Sequence, residues 1–177
     1  IILSSENAKG VILKGVNKSE KNTIKFFKDY STPEALKNFS SNNVLIGSEL
    51  AFDLNLKVGD KLNLMSSAFV STPLGNLPKQ ENFKVAGVFN TGFLEFDKNI
   101  IFLDIKDALS IFEKDKEDQN IEMYIKDPLQ ANFYKNKLQK INRNYFIYTW
   151  SDLNKSLFSA LKVERNLMFI ILSVIVV

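Results

Sequence analysis

Glu49 and Asp53 are the first residues whose types and spacing point to chemistry. Four positions apart on a helix, they would present two carboxylates on one face, the arrangement that general acid–base catalysis uses. No histidine, nucleophile or glycine-rich loop accompanies them, so the pair reads as a solvated helix face. Asp115, Glu117 and Asp118 form a second acidic group. It lacks the alternating carboxylates, central glycine and distal glutamate of a calcium loop, and it reads as a solvated connection. Glu95 and Asp97, after Gly92, read as turn or edge-strand charges. The 177 residues include no Cys and no His. That excludes a Cys/His zinc site and any nucleophile system built on an imidazole. No phosphate-cradling P-loop pattern occurs, so the chain is expected neither to hydrolyse nucleotide nor to hold a cofactor.

Composition narrows the class further. Hydrophobic residues make up 45% and charged residues 24%, with 15 Phe, which is the balance of a folded globular chain. The net charge is +3, and the lysines alternate with acids instead of forming a dense basic run. A nucleic-acid partner is therefore not expected. The chain opens on "IILSSENAKG", without a start Met or a signal peptide, and is expected to be a fragment. It closes on "NLMFIILSVIVV". Leu167 to Val177 is apolar except for Ser173, but spanning a bilayer takes about 20 residues. Two readings fit: a buried C-terminal helix or strand, and the start of a transmembrane helix, which is the one expected here.

These residues need elements to position them. Gly10–Val16 reads as a short strand, and Lys18–Tyr30 is ambiguous. Thr32 and Pro33 are the N-cap and first residue of a short helix. Val44–Ile46 reads as a strand, and Ser48 as the cap of a helix reaching about Asn55. Gly59 and Asp60 form a turn into a strand on which Leu62 and Leu64 share a face. From Asn82 to Phe89 the residues alternate, as in a half-buried strand whose nearest partner is Lys61–Met65. Asn99–Leu103 is a further strand, and Asp104 caps a helix with Ala108, Leu109 and Phe112 inward. Glu113–Asn120 is the expected lobe boundary. Beyond it follow a strand at Ile121–Ile125, a helix from Asp127–Pro128 and a strand at Tyr145–Tyr148. A helix capped by Ser151 then runs unbroken into the apolar tail. The fold class is α+β. The expected division is 1–43, an N-terminal part; 44–118, a β-rich lobe; 119–154, a strand–helix–strand lobe; and 155–177, the tail helix.

One segment fits none of these elements. Between Met65 and Asn82 the sequence reads as a long connection with two prolines and several apolar residues. Pro73 and Pro78 restrict φ and lower the entropy lost on ordering. Leu74 and Leu77 flank Gly75-Asn76, a pair able to take positive φ. Phe69 and Val70 add apolar surface. A stiff projection carrying apolar anchors reads as a protein-binding element.

The same residues carry a family resemblance. "IGSELAFDLNLKVGDKLNL", "TPLGNLP", "FKVAGVFNTGFLEFDKNIIFLDIKDALSIF" and "YTWSDLNKSLFSALKVERNLMFIILSVIVV" together resemble the periplasmic domain of the lipoprotein-releasing ABC transporter permeases, the LolC/LolE family of Gram-negative bacteria. The likeness covers roughly Val44 to Val177 and weakens over 18–43. It implies a two-lobed periplasmic domain of a mechanotransmissive, MacB-like permease, with a protruding β-hairpin and the start of a transmembrane helix. It also implies a non-catalytic subunit in the inner membrane. That subunit works with a separate ATPase (LolD), a second permease copy or paralogue, lipoprotein cargo and the periplasmic chaperone LolA. The family's chaperone-recruiting hairpin, the Hook, falls here on 66–81: Phe69, Val70, Thr72, Pro73, Leu74, Gly75, Asn76, Leu77 and Pro78, with Lys79 at its rim. Its polar platform, the Pad, falls on Gln80, Glu81 and Asn63. Glu81 and Asn63 stand where LolC-type subunits can carry Arg; this departure from the basic platform leaves open a charge pattern adapted to a different chaperone surface, or a single permease that performs both subunit roles, as in the LolF type. The other class that fits is a scaffold or sensor domain of an exporter-type permease of the same superfamily.

Overall fold

The apolar alternation along several short segments folds into one mixed sheet. The computed structural model describes residues 2–3, 8–73, 75–115, 120–141 and 144–176. These divide into two compact units, 1–119 and 120–177.

The first unit holds a seven-stranded sheet of order β2-β1-β5-β6-β4-β7-β3. Its strands are β1 (Ile2–Leu3), β2 (Ala8–Lys9), β3 (Ile12–Val16), β4 (Asn43–Gly47), β5 (Lys61–Thr72), β6 (Gly75–Phe89) and β7 (Ile100–Asp104). β3 runs parallel to β7 and β4 parallel to β6, whereas β5 and β6 are antiparallel. Successive side chains of a strand face opposite ways, and the core divides accordingly. Val44 and Ile46, with Ile101 and Leu103, join Leu62, Leu64, Phe83 and Val85 in one buried cluster. Leu45 and Phe102 join Phe27, Ala35, Phe39 and Phe89 in the other.

Helices cover both sides. α1 (Lys21–Tyr30) and α2 (Pro33–Asn38) bring Phe27 and Ala35 to the second cluster. α3 (Ser48–Asp53) and α5 (Ile105–Phe112) bring Leu50, Ala108 and Ile111 to the first. The fit of α5 on β3 requires a residue without Cβ, since one added at Gly15 would stand 2.5 Å from the Ala108 Cβ. α4 (Leu94–Asn99) also belongs to this unit. Thr32 caps α2 by accepting from the Ala35 N–H, and Asp104 caps α5 by accepting from the Lys106 N–H, as their residue types predict.

Several elements differ from expectation. The ambiguous 18–30 stretch is α1. The residue flanking α3 is Gly47; Ser48 is already helical, and its buried hydroxyl makes no hydrogen bond. In α5 Ala108 is inward as expected, and the other buried apolar residue is Ile111; Leu109 and Phe112 are only partly buried. The segment 66–81 is not a loop: β5 and β6 continue through it as paired strands.

In the second unit Ile121–Ile125 and Tyr145–Tyr148 are not strands. Alternation describes a face but supplies no ladder, and a strand needs a partner for its N–H and C=O groups. A 3₁₀ turn at Pro128–Gln130 leads into α6 (Ala131–Ile141). α7 (Trp150–Leu153) is capped by Thr149, not Ser151: Thr149 and Asp152 form a reciprocal capping box. Asn154 interrupts the expected single helix before α8 (Lys155–Val176). Among the described residues no helix is long and apolar enough to cross a membrane.

Candidate functional site

The register of β5 against β6 builds the candidate site. At its base the ribbon belongs to the sheet, because β1 lies beside Asn63 and Leu64, and β4 lies beside Lys84–Phe89. From Met65↔Gln80 outward the two strands pair only with each other among the described residues, ending at Thr72↔Gly75. Some seven residues per strand at about 3.3 Å each make a ribbon roughly 20 Å long beyond the sheet.

Cross-strand pairs assign each residue to a face. Leu62 and Phe83, then Leu64 and Glu81, lie on the side of the first cluster, where α5 packs; Lys79 follows on the same face, and Val70 opposite Leu77 lies beyond it. The other face carries Asn63 opposite Asn82, Met65 opposite Gln80, Phe69 opposite Pro78 and Ser71 opposite Asn76. Side-chain contacts repeat the same pairs: the Asn63 amide donates to Asn82 Oδ1 at 3.4 Å, Gln80 Nε2 to Met65 Sδ at 3.7 Å, and Ser71 Oγ to Asn76 Oδ1 at 2.9 Å. Asn63 Oδ1 is buried without a hydrogen-bond partner.

The turn follows from its residues. Gly75 sits at φ +118°, a conformation that side-chain-bearing residues rarely adopt. Thr72 Oγ1 donates to the Gly75 carbonyl at 2.7 Å and closes the tip. Asn76 is not a turn residue; it is paired within β6. Pro73 lies in the turn and is exposed. Leu74 lies outside the described residues. Pro78 occupies a strand position in a ribbon with no outer neighbour among the described residues, where its missing N–H removes no ladder bond to a third strand.

The apolar residues of the ribbon are uncovered. Phe69 is 60% exposed, Leu77 54% and Val70 43%, against 2% for Phe83 on the same strand as Leu77. The pleat separates the anchors that the sequence groups together: Val70 and Leu77 share the α5 side, and Phe69 with Pro78 share the reverse.

The base is polar and internally bonded. Lys79 Nζ donates to the Ser110 carbonyl at 2.7 Å and lies 3.6 Å from Glu81 and 3.8 Å from Glu113. Ser110 Oγ donates to Glu81 Oε1 at 3.1 Å. Ser110 and Glu113 are the contributions to this base that sequence reasoning missed; nothing local to α5 signals them, because they are set by how α5 crosses β6.

Three other acidic residues, Asp53, Asp97 and Asp152, have structural engagements. Asp53 takes a hydrogen bond from Lys9, which with nearby Lys98 holds its carboxyl below the usual carboxylate range. Asp97 is buried and accepts from the Thr91 N–H, the Thr91 hydroxyl and the Gly92 N–H, closing the loop into α4. In the second unit Asp152 accepts from Lys135 at 2.7 Å and from the Thr149 N–H. Those bonds, Lys135 first, hold its carboxyl well below the usual range. Glu117 and Asp118 lie outside the described residues.

Comparison with known proteins gives the geometry a context. The chain is 30% identical over 135 residues to the lipoprotein-releasing system transmembrane protein LolC of Xylella fastidiosa, covering 76% of this chain and 32% of that protein. It is 26% identical over 180 residues to the protein of that name in Neisseria meningitidis, covering 99% and 43%. It is 30% identical over 151 residues to the one in Buchnera aphidicola, covering 81% and 36%. The chain thus spans about a third to two fifths of the length of these relatives. No protein-family model matches it.

Proposed function

The chain belongs to the LolC family of lipoprotein-releasing system transmembrane proteins, and we propose that it is the periplasmic part of a lipoprotein-releasing ABC permease whose β5–β6 ribbon docks the lipoprotein chaperone LolA. Its role is non-catalytic. The ribbon presents the chaperone to cargo leaving the inner membrane, and a separate ATPase, LolD, drives the permease from the other side through a pair of permease subunits. The observation that carries this reading is the ribbon: two strands that leave the sheet with Phe69, Val70 and Leu77 uncovered. A chaperone that shelters acyl chains offers an apolar mouth, and such a mouth accepts a narrow apolar tip. Burying one of these side chains contributes about 1.5–3 kcal/mol. The hydrogen bonds at Ser71–Asn76 and Thr72–Gly75 hold the tip in shape before contact, which lowers the entropy cost of docking.

The test is calorimetric titration of the 177-residue chain with purified LolA, repeated after replacing Val70 and Leu77 together with Asp. Two buried apolar side chains lost, at about 1.5–3 kcal/mol each, predict a fall in affinity of at least roughly a hundredfold. Equal affinity in the two titrations would remove the ribbon from the mechanism. A domain of the exporter-type class would show no binding to LolA in either.

A further inference from the structure

We propose that Lys79 is a strut: it fixes the angle of the docking ribbon by tying the ribbon, at the point where its ladder breaks, to the C-terminal end of α5. The geometry stands by itself; only the consequence for chaperone binding rests on the docking reading above.

The ladder breaks at one place. Pairing runs regularly to Met65↔Gln80 and resumes at Phe69↔Pro78, so Ser66, Ser67 and Ala68 on β5 face Lys79 alone on β6. Such a bulge interrupts the inter-strand hydrogen bonds and adds twist. Ser66 Oγ accepts from the Ala68 N–H at 3.1 Å, so the extra residues are tied locally and not across the ribbon. Above the bulge no third strand or helix of the described residues pairs with the ribbon. A two-stranded ribbon with a bulge at its base has a ready hinge.

Lys79 lies opposite that bulge and reaches across to α5. Its ammonium meets three oxygens: the Ser110 carbonyl at 2.7 Å, Glu81 at 3.6 Å and Glu113 at 3.8 Å. Ser110 is in the last turn of α5, where carbonyls carry the negative end of the helix dipole and a cation is favoured. Glu113, in the left-handed conformation at φ 52°, ends the helix. Glu81 receives the Ser110 hydroxyl, so β6 and α5 are joined through two β6 side chains. The pleat explains the choice of residue. Positions 77, 79, 81 and 83 share one face; Phe83 is in the core, Glu81 and Lys79 meet α5, and Leu77 lies past its end. Lys79 is the outermost position of β6 on this face with something to hold. A lysine serving a partner keeps its ammonium in water, whereas this side chain is only 23% exposed.

The chain has no Cys, so labels can be placed at will. Spin labels at Ser71→Cys on the ribbon and Lys106→Cys on α5, both exposed positions, report the ribbon-to-helix distance by pulsed electron resonance. Lys79→Met keeps the aliphatic stem and removes the ammonium. The expected result is a narrow distance distribution in the parent chain, at least about twice as wide in Lys79→Met and narrow again in Lys79→Arg, with an unchanged melting temperature. A Lys79→Met distribution as narrow as the parent's overturns the strut. Should Lys79→Met fail to fold, Lys79→Leu also removes the ammonium and with it every contact of the strut; it must widen the distribution too, and its failure to do so overturns the proposal. These measurements contain no LolA, so a failed docking reading leaves them standing. In the LolA titration, Lys79→Met is expected to weaken binding by about fivefold, through lost pre-organisation, without changing the dependence of affinity on salt. A lower salt dependence would make Lys79 a direct contact and sink the strut.

Discussion

β5 and β6 pass through two environments, and the same alternation has opposite consequences in them. In the lower half Leu62, Leu64, Phe83 and Val85 meet α3 and α5 and are buried. In the upper half Phe69, Val70 and Leu77 meet no helix or third strand among the described residues and stay exposed. The strands stay paired on both sides of the bulge; the layer beneath them ends. An apolar residue in a strand is therefore not a statement about the core. It is a statement about whether another element reaches that far, and α5 stops at Phe112, with Lys79 and Glu81 bonded to its end.

The largest test of this contrast compares two residues of one strand. Phe83→Ala empties a fully packed site and is expected to cost about 3–5 kcal/mol of unfolding free energy, measured by denaturant titration. Leu77→Ala, six positions away on the same face, is expected to change stability by less than about 0.5 kcal/mol. A comparable loss from both would show that Leu77 is covered, and the upper half would then be an extension of the core.

How much of this was legible in the sequence depends on how local each signal is. The lower half was readable: alternation from Asn82 and the Leu62/Leu64 face were placed correctly, and so were the Gly59–Asp60 turn and the caps at Thr32 and Asp104. The upper half was not readable from its residues. Two prolines and a Gly-Asn pair describe a turn-rich loop unless the partner strand is known, and only the family resemblance suggested a hairpin. Pro78 is compatible with a strand here because no described residue pairs with the ribbon's outer side, a fact of topology and not of composition. The parallel pairs β3–β7 and β4–β6 join segments far apart in sequence and leave no local trace. In the second unit the error ran the other way. Ile121–Ile125 and Tyr145–Tyr148 have strand-like residues but no ladder, and no described apolar side chain of that unit is fully buried. The caps expected at Ser48 and Ser151 were misplaced by one or two residues: α3 is flanked by Gly47, which makes no side-chain cap, and α7 by Thr149, whose box with Asp152 is a better cap than Ser151. Of the site, Phe69, Val70 and Leu77 are exposed as expected and Leu74 lies outside the described residues, while the engagement of Lys79 and Glu81 by Ser110 needed the crossing of α5 over β6.

The second test separates the two faces of the upper half. Phe69 and Val70 are neighbours in sequence but point to opposite sides of the pleat. A mouth that envelops the tip buries both, whereas a flat partner buries one. For the enveloping case, Phe69→Ser and Val70→Ser are each expected to lower LolA affinity by roughly ten- to a hundredfold, from about 1.5–3 kcal/mol of lost burial. Titration of each variant decides it. A loss confined to one substitution would make docking one-sided and name the side.

The smallest expected effect concerns the turn itself. Gly75 holds φ at +118°, and a Cβ placed there would meet nothing within 4 Å, so Gly75→Ala introduces backbone strain and no clash. That strain is about 1–2 kcal/mol. If the two halves are energetically separate, it is confined to the ribbon. Amides of 69–78 then exchange with solvent faster by roughly five- to thirtyfold, while those of Leu62, Leu64 and Phe83 keep their protection and the melting temperature does not move. LolA affinity falls by about tenfold at most, because the tip must be re-ordered on contact and its anchors are intact. Faster exchange that spreads below Met65 would show that the tip supports the sheet. The register that joins the halves would then transmit strain across the bulge, and the ribbon would have to be treated as part of the folding unit it grows from.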